Sequence, residues 1–452
     1  MESSQLMLTM FKYGIITLLT GYALFGRSFA YIGLSPIYIG EFVLILGFVY
    51  FIFTDGWKTI LREPLCRLLV LFMIWGAIRT FPYISEYGIV ALRDGASWGY
   101  GIFALIIFSM LIKNQLFESV IRWYSRMIPL FLLWMPLAIL ISHFLADSMP
   151  LLPWGPNNSI PLITTKGGDI SVHLAGIVSF YFIVLPYLSN RKLALLFWPS
   201  WSFCFLLIGF TGRAAILTVA TAIIATIIYI KPKRWVKGVA FILLIIGFMA
   251  IFNIQYDTGQ ERTVSFEQLV TNVKSIFTEV EGFSGEGTKM WRIWWWQKII
   301  DYTVFGEYFW LGKGFGINLA DDDGFQVFED SSLRSPHNGH LTFLARAGVP
   351  GFLLWIALQL SFAISLFKSY RRLLARGYSQ DASLYIWLLI YWLAFMVNGA
   401  FDVFFEGPQG GIWFWSIIGL GFGLIYMEKH LTQSERSTHH SFTTEPITEG
   451  YN

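Results

Sequence analysis

The sequence predicts an all-α polytopic membrane protein with about twelve transmembrane helices and one large extramembrane loop that carries amphipathic helices. Hydrophobic residues make up 55% of the 452 residues and aromatic residues 18%, whereas charged residues make up only 13%. This composition is too apolar for a soluble globule of that length. The apolar residues also fall in runs long enough for a hydrocarbon core of about 30 Å, which a helix of about 20 residues crosses.

The individual apolar runs define the predicted spans. They lie near residues 12–27, 38–55, 66–80, 88–112, 122–146, 170–189, 193–210, 213–230, 236–255, 341–367, 381–403 and 410–427. The third run is short, and Gly21 and Gly26 interrupt the first, so a count of about ten or eleven with re-entrant pieces remains an alternative.

Basic residues in alternate loops set the predicted orientation, because cytoplasmic loops hold an excess of Lys and Arg. Five such loops contain Lys58, Arg62 and Arg67; Lys113, Arg122 and Arg126; Arg191 and Lys192; Lys231, Lys233, Arg234 and Lys237; and Lys368, Arg371, Arg372 and Arg376. Both termini are then inside and the hydrophilic stretch before residue 341 is outside.

The chain therefore divides into four predicted parts. Residues 1–255 form an N-terminal transmembrane bundle of about nine spans, and residues 256–340 form the outer loop. Residues 341–427 form the C-terminal transmembrane helices. Residues 428–452 are polar and rich in Ser and Thr, which predicts a disordered cytoplasmic tail.

Several function classes are disfavoured. Cys66 and Cys204 are the two cysteines and are not expected to meet, so neither a disulfide framework nor a cysteine metal site is predicted. The net charge of +3 reflects basic residues that serve orientation, and no nucleic-acid partner is expected. Outside, no His or carboxylate cluster has metal-ligand spacing, since the run 321–323 is better explained as a solvated loop. No metal and no cofactor are expected.

Charged residues in and near the spans gather on the predicted outer face. They are Arg93, Asp94, Lys166, Asp169, His173, Arg213, Arg292, His337, Asp402 and Glu406. Intramembrane charge is costly and favours a functional role. Simpler interpretations exist for most of them: Arg213 snorkels from its helix end, Arg93 pairs locally with Asp94, and Asp402 and Glu406 are solvated loop charges.

The outer loop also contains an aromatic segment, with five tryptophans between residues 290 and 310. Its apolar spacing predicts an amphipathic helix in the headgroup layer, which puts Arg292 at phosphate depth. Arginine presents a planar fork of donors that matches phosphate oxygens, so arginines at this depth suit an anionic lipid diphosphate. A histidine can take a proton from a hydroxyl, so His337 is the candidate general base of a glycosyl transfer.

Three segments resemble the bacterial O-antigen ligase and polymerase family. In HNGHLTFLARAGVPGFLL, His337 and Asn338 are followed by nine residues, Gly348, two residues and Gly351, as in the family signature. TGRAAI is similar to the family's Ser-Arg-Gly/Ala segment, with a glycine where Ser is common. RIWWWQKIIDYTVFGEYFWLGKGFG is similar to its Arg-x-x-x-Trp stretch, and the resemblance covers roughly residues 200–355.

The resemblance implies a metal-independent membrane glycosyltransferase of the bacterial inner membrane, with its active site on the periplasmic side. Its donor is a glycan on undecaprenyl diphosphate. His337 matches the family histidine that activates the acceptor hydroxyl, and Arg213 and Arg292 match arginines that hold the diphosphate. Arg93 and Lys166 are added to that binding set from topology alone. Asn338, Gly348 and Gly351 have supporting roles, the two glycines through close packing or a kink near Pro350.

The acceptor stays open between lipid A core, as in a ligase, and a growing glycan chain, as in a polymerase. Membrane lipids surround the protein in either case. The alternative function is a transporter or flippase of lipid-linked glycan, which also has about twelve spans but typically shows internal repeats and midplane charges. Neither feature is present in this sequence.

Overall fold

The described part of the chain folds into helices joined by loops, with two small β-hairpins. The computed structural model describes residues 2–35, 37–114, 116–145, 148–153, 160–188, 194–229, 235–251, 255–257, 263–277 and 284–430. The predicted tail beyond residue 430 and the basic segments 191–192 and 231–234 lie outside the described residues.

Among the described residues, twelve α-helices precede the outer loop. They are α1 (Glu2–Ala30), α2 (Ile39–Phe53), α3 (Gly56–Ile60), α4 (Pro64–Thr80), α5 (Ile84–Tyr87), α6 (Ile89–Gly99), α7 (Gly101–Asn114), α8 (Phe117–Phe144), α9 (Gly167–Ile183), α10 (Ala194–Thr211), α11 (Arg213–Ile227) and α12 (Val236–Ile251). The first hairpin, β1 (Gly33–Leu34) and β2 (Ile37–Tyr38), joins α1 to α2.

The outer loop begins with the second hairpin, β3 (Gln255–Asp257) and β4 (Thr263–Ser265). Three helices follow: α13 (Phe266–Phe277), α14 (Ser284–Val304) and α15 (Leu319–Asp323). The chain then continues as three long helices, α16 (Gly339–Ala375), α17 (Ser379–Gly399) and α18 (Pro408–His430).

Every predicted apolar run coincides with a helix, and the run 88–112 coincides with the pair α6 and α7. Within the described residues, six helices are long and apolar enough to cross a membrane: α1, α4 with its extension to residue 87, α8, α16, α17 and α18. The pair α6 and α7, bent by 41°, makes a seventh if it counts as one span. The remaining runs form shorter apolar helices. The all-α membrane class is confirmed, whereas the count of about twelve spans stays a prediction.

Helix α18 lies at the centre of the bundle. It packs against α7, α1, α16 and α17, and 89% of the apolar stretch of this helix is buried inside the protein. A second group of helices, α9, α11 and α17, packs side by side. The loop that follows α17 therefore lies where both groups of helices meet.

Helix α16 is broken near its start, where Gly348 adopts a left-handed backbone (φ 68°) two residues before Pro350. Pro350 has no N–H to give to the carbonyl of Arg346, and its ring also crowds that carbonyl. The Gly314 N–H donates to the Arg346 carbonyl instead, at 2.9 Å. The break therefore frees helix carbonyls to which another segment of the chain binds.

That segment is the Gly-rich loop, residues 312–316. Gly312, Gly314 and Gly316 all have positive φ. A side chain would not fit at any of them: a Cβ on Gly312 would lie 2.5 Å from the backbone nitrogen of Gly348, and one on Gly314 would lie 2.2 Å from the Tyr83 ring. The pattern Gly-x-Gly-x-Gly thus forms a loop that docks on the broken helix.

Gly348→Ala is expected to destabilise the protein more than Gly377→Ala. Both glycines have positive φ (68° and 85°), so both substitutions carry left-handed strain of about 1–2 kcal/mol. Only at Gly348 would the new Cβ also meet backbone, the Phe309 carbonyl oxygen at 2.7 Å, whereas nothing lies within 4 Å at Gly377. Thermal unfolding in detergent measures the difference. Equal midpoints for the two variants would contradict the role of Gly348 in docking.

Candidate functional site

The candidate site is centred on His337, in the short segment between the outer loop and α16. His337 has a left-handed backbone (φ 52°), which is rare for a residue with a side chain. The Nε1–H of Trp296 on α14 donates to the carbonyl of the preceding Pro336 at 2.8 Å. The imidazole stays partly exposed, with 32% of its side-chain surface accessible. The backbone is therefore held from the α14 side while the imidazole remains open.

The imidazole of His337 faces Asp402, which follows α17. The His337 Nδ1 lies 3.9 Å from the Asp402 Oδ1, and the Lys166 Nζ donates to the same oxygen at 2.7 Å. Burial raises the pKa of the Asp402 carboxyl, but Lys166 and the nearby His337 outweigh it and hold that pKa below its usual range. Asp402 is therefore a buried carboxylate with cationic neighbours, not the solvated loop charge that the sequence suggested.

Lys166 belongs to the same group. It is the N-cap residue of α9, and about half of its side chain is exposed (48%). Burial lowers the pKa of its ammonium, but the attraction of Asp402 and Asp169 raises it further than burial lowers it. The cation is thus kept charged by the carboxylates beside it.

Arg292 reaches the same place from the outer loop. It lies on α14, which packs against α16, and its Nη1 donates to the carbonyl of Phe401 at 3.1 Å. Lys166, Arg292 and His337 therefore converge on residues 401–402, and we call these three residues with Asp402 the Asp402 cluster. Four segments that are distant in sequence form it.

Arg213 is the first residue of α11, directly after Gly212. Helix α11 packs against α9 and α17, the two helices whose ends carry Lys166 and lead to Asp402. The side chain of Asn272 on α13 donates to the carbonyls of Gly209 and Phe210 at 3.0 and 3.2 Å. These bonds hold the end of α10 just before Arg213. Arg213 thus lies at the end of the bundle that carries the Asp402 cluster.

Arg93 and Asp94 separate into different roles. The Arg93 side chain is 62% exposed, and its Nε is 3.9 Å from the Asp94 Oδ1. Asp94 is buried and pairs more closely with Arg334 at 2.8 Å and with Arg346 at 3.1 Å. The local ion pair that the sequence suggested is therefore a minor contact. Asp94 instead links α6 to the outer loop and to α16.

The remaining motif residues have structural contacts. The side-chain oxygen of Asn338 accepts from the backbone N–H groups of His340 and Leu341, both at 3.1 Å, and so caps α16. A Cβ on Gly351 would lie 2.4 Å from the Ala347 side chain. His340 accepts from the Trp355 Nε1–H at 3.1 Å, and its Nε2 lies 2.9 Å from the Met396 carbonyl. These contacts fix the helix that begins next to His337.

Glu406 is a half-buried residue near the same segment: its Oε1 is buried, and its Oε2 accepts from the Ser335 hydroxyl at 3.0 Å. Burial raises the pKa of Glu406, and Arg346 opposes that shift only in part. Glu406 is therefore not a solvated loop charge either. One feature of the sequence indicates that Glu406 lies near the candidate site: it is four residues after Asp402 in the same loop.

The acidic run 321–323 also differs from the solvated loop that the sequence suggested. Asp323 is 2% exposed, and its carboxylate accepts from the Trp295 Nε1–H at 2.7 Å and from the Lys313 ammonium at 2.5 Å. Trp295 is fully buried against this part of the outer loop. The inner face of α14 therefore packs on protein, while Trp294 on the other face is 61% exposed.

Metal-ligating side chains are dispersed in the described part of the chain, where no group of three or more His, Cys, Asp or Glu side chains is placed to hold an ion. At the candidate site, the Lys166 ammonium and the His337 imidazole lie beside the Asp402 carboxylate, and the Arg292 guanidinium lies at the neighbouring carbonyl of Phe401.

Comparison with known proteins finds a family match for part of the chain. The family model described as O-antigen ligase matches residues 198–356, about a third of the chain, which includes Arg213, Arg292 and the segment from His337 to Gly351. No curated protein matches the chain. The sequence resemblance over residues 200–355 is thereby confirmed, and the match, together with the apolar helices, supports a membrane glycosyltransferase of the O-antigen ligase and polymerase type.

Proposed function

We propose that this protein transfers a glycan from undecaprenyl diphosphate to an acceptor hydroxyl on the periplasmic face of the bacterial inner membrane. The observation that carries this proposal is the convergence of His337 and Lys166 on one buried carboxylate, Asp402, with Arg292 bonded to the carbonyl of the adjacent Phe401. A base and cations side by side are what a reaction with a hydroxyl nucleophile and a diphosphate leaving group needs.

His337 is the proposed general base. Its Nδ1 faces Asp402, which leaves the Nε2 as the atom that can take a proton from the acceptor. In this step the acceptor oxygen forms a bond to the anomeric carbon of the donor sugar and gives its proton to His337. The bond between that carbon and the diphosphate oxygen breaks, and the diphosphate leaves with the electron pair. Asp402 orients the imidazole and stabilises the imidazolium that forms.

The proposed role of Arg213, Arg292 and Lys166 is to bind the diphosphate. Charge builds up on the leaving oxygen as the glycosidic bond breaks, so cations fixed beside it lower the barrier. Lys166 is already paired with Asp402 at 2.7 Å, so a diphosphate would share it with that carboxylate. Arginine offers the planar fork that two phosphate oxygens can accept together, which makes the arginines the main ligands in this proposal. Arg93 is exposed and has the weakest geometric support.

His337→Ala is expected to lower transfer by about 10²- to 10⁴-fold because the proton acceptor is lost. Little change in thermal stability is expected, because the partly exposed imidazole lies 3.9 Å from Asp402 and its ring centroid lies 6.5 Å from that of Trp291. His340→Ala is the matched control. It removes an imidazole bound to Trp355 and Met396, so it should lower the melting temperature. Purified variants are compared in a transfer assay and a melting assay. Intact glycan assembly in His337→Ala with a loss of lipid-linked glycan translocation would favour the transporter alternative.

Arg213→Lys and Arg292→Lys are each expected to reduce donor use by about tenfold, although the charge is retained, because the bidentate fork is lost. Arg122→Lys is the control, since Arg122 pairs with Glu118 at the other end of the bundle. Initial rates over a range of donor concentrations separate a rise in KM from a fall in kcat. Wild-type kinetics in both variants would remove these arginines from the proposed site.

An assay with purified components distinguishes the two acceptors and tests the metal-independent part of the proposal. Lipid-linked glycan is supplied with and without lipid A core, each in the presence and absence of EDTA. A ligase forms product only with core, whereas a polymerase forms longer chains without it. We expect EDTA to leave either reaction unchanged because arginines supply the positive charge. Inhibition that a divalent ion reverses would refute that expectation.

A further inference from the structure

The end of α16 that is far from His337 carries four basic residues with two different environments. Arg372 and Arg376 both pair with Glu428 of α18, whose side chain is only 2% exposed. Lys368 and Arg371 are exposed, and among the residues that the structure describes no carboxylate lies within 4 Å of either cation. Arg372 and Arg376 therefore stabilise the bundle through Glu428, whereas Lys368 and Arg371 do not take part in that ion pairing.

Lys368 and Arg371 lie beside an apolar groove. The groove is formed by α16 and α17, has a volume of about 660 Å³, and is lined by Ala363, Ile364, Phe367, Leu389 and the basic residues 368, 371 and 372. Lys368 and Arg371 are three residues apart, so they share one helix face. The groove therefore has an apolar body and a cationic end.

The groove continues a stripe of exposed apolar side chains along α16. Leu353, Leu360, Ile364 and Phe367 are 59%, 54%, 51% and 40% exposed. Their spacing of three, four and seven residues places them on one face of a helix that is long and apolar enough to cross a membrane. In a membrane this face contacts lipid chains, and the stripe ends at the two cations. A basic pocket between membrane helices is suited to the head group of an anionic lipid.

We propose that this groove binds one anionic phospholipid of the bilayer. The phosphate lies between Lys368 and Arg371, and one acyl chain lies along Ile364 and Phe367 in the groove. The proposal is independent of the glycosyl-transfer site, since His337 and this groove are at opposite ends of α16. It assigns to Lys368 and Arg371 a ligand of opposite charge that is present in the lipid bilayer around the helix.

Binding is measured by native mass spectrometry of the full chain in detergent with dioleoyl phosphatidylglycerol, and with dioleoyl phosphatidylcholine for comparison. Wild type should retain phosphatidylglycerol about thirtyfold more strongly, since each basic residue near a lipid surface is worth about one kcal/mol. Lys368→Glu with Arg371→Glu should abolish that preference. Lys58→Glu with Arg62→Glu is the control, since it makes the same charge change at another basic loop and should keep the preference.

The apolar body of the groove is tested without changing charge. Ala363→Phe should fill the groove and reduce phosphatidylglycerol retention, and inorganic phosphate should not compete because it lacks the acyl chain. Lys368→Gln serves if the double charge reversal does not fold, and it should lower retention severalfold. Equal retention of the two lipids by wild type, or an unchanged preference in the Lys368 and Arg371 variants, would overturn the proposal. Competition by inorganic phosphate would overturn the acyl-chain part.

Discussion

The buried carboxylate of Asp94 is the constraint on which the outer part of the structure depends. It pairs with Arg334 of the outer loop at 2.8 Å and with Arg346 of α16 at 3.1 Å, and it accepts from the Gly316 N–H at 3.2 Å. Removing one partner of a buried ion pair costs about 3–5 kcal/mol, because the charge left behind has no compensation. Asp94 therefore fixes the chain just before His337, just after it and at the Gly-rich loop. The candidate base lies between two arginines that are anchored to the same carboxylate.

The break in α16 frees backbone carbonyls, and the outer loop binds to them in addition to forming these ion pairs. A straight helix would satisfy its own carbonyls, and the outer loop would have only side chains to bind. Because Gly348 and Pro350 interrupt the ladder, the carbonyls of Ala345 and Arg346 accept from the N–H groups of Lys313 and Gly314 at 2.7 and 2.9 Å. The outer loop is thus joined to the helix through backbone as well as through charge. Such a rigid attachment can maintain the left-handed backbone of His337, a conformation that requires support from its surroundings.

The sequence predicted the helices well and the burial of its charged residues poorly, for one physical reason. An apolar run is visible in consecutive residues, and in the described part of the chain every predicted run coincides with a helix. The role of Pro350 likewise follows from its own missing N–H. Whether a carboxylate is solvated depends instead on residues far away in sequence. Lys166 and Asp402 are 236 positions apart and Arg334 and Asp94 are 240 apart, and no periodicity connects them. Local sequence therefore indicates solvated charges at Asp402, Glu406 and Asp323, although the fold buries Asp402 and Asp323 and half-buries Glu406. The grouping of Lys166, Arg292 and His337 was predicted only as far as one face of the membrane.

The position of Asp402 bears on how the proposed site would handle a highly charged donor. A group of cations without a counter-charge would repel one another and would hold a diphosphate in the product state as strongly as in the donor state. A carboxylate within that group reduces the repulsion, and its lowered pKa keeps it ionised throughout the neutral range. When the diphosphate leaves, Asp402 can again neutralise Lys166, so the cation is not left unpaired. Uniform tight binding gives no gain in turnover, so a counter-ion that competes with the bound diphosphate favours release after the transfer. In this proposal Asp402 therefore acts on both sides of the reaction: it orients the base, and it limits how tightly the leaving group is held.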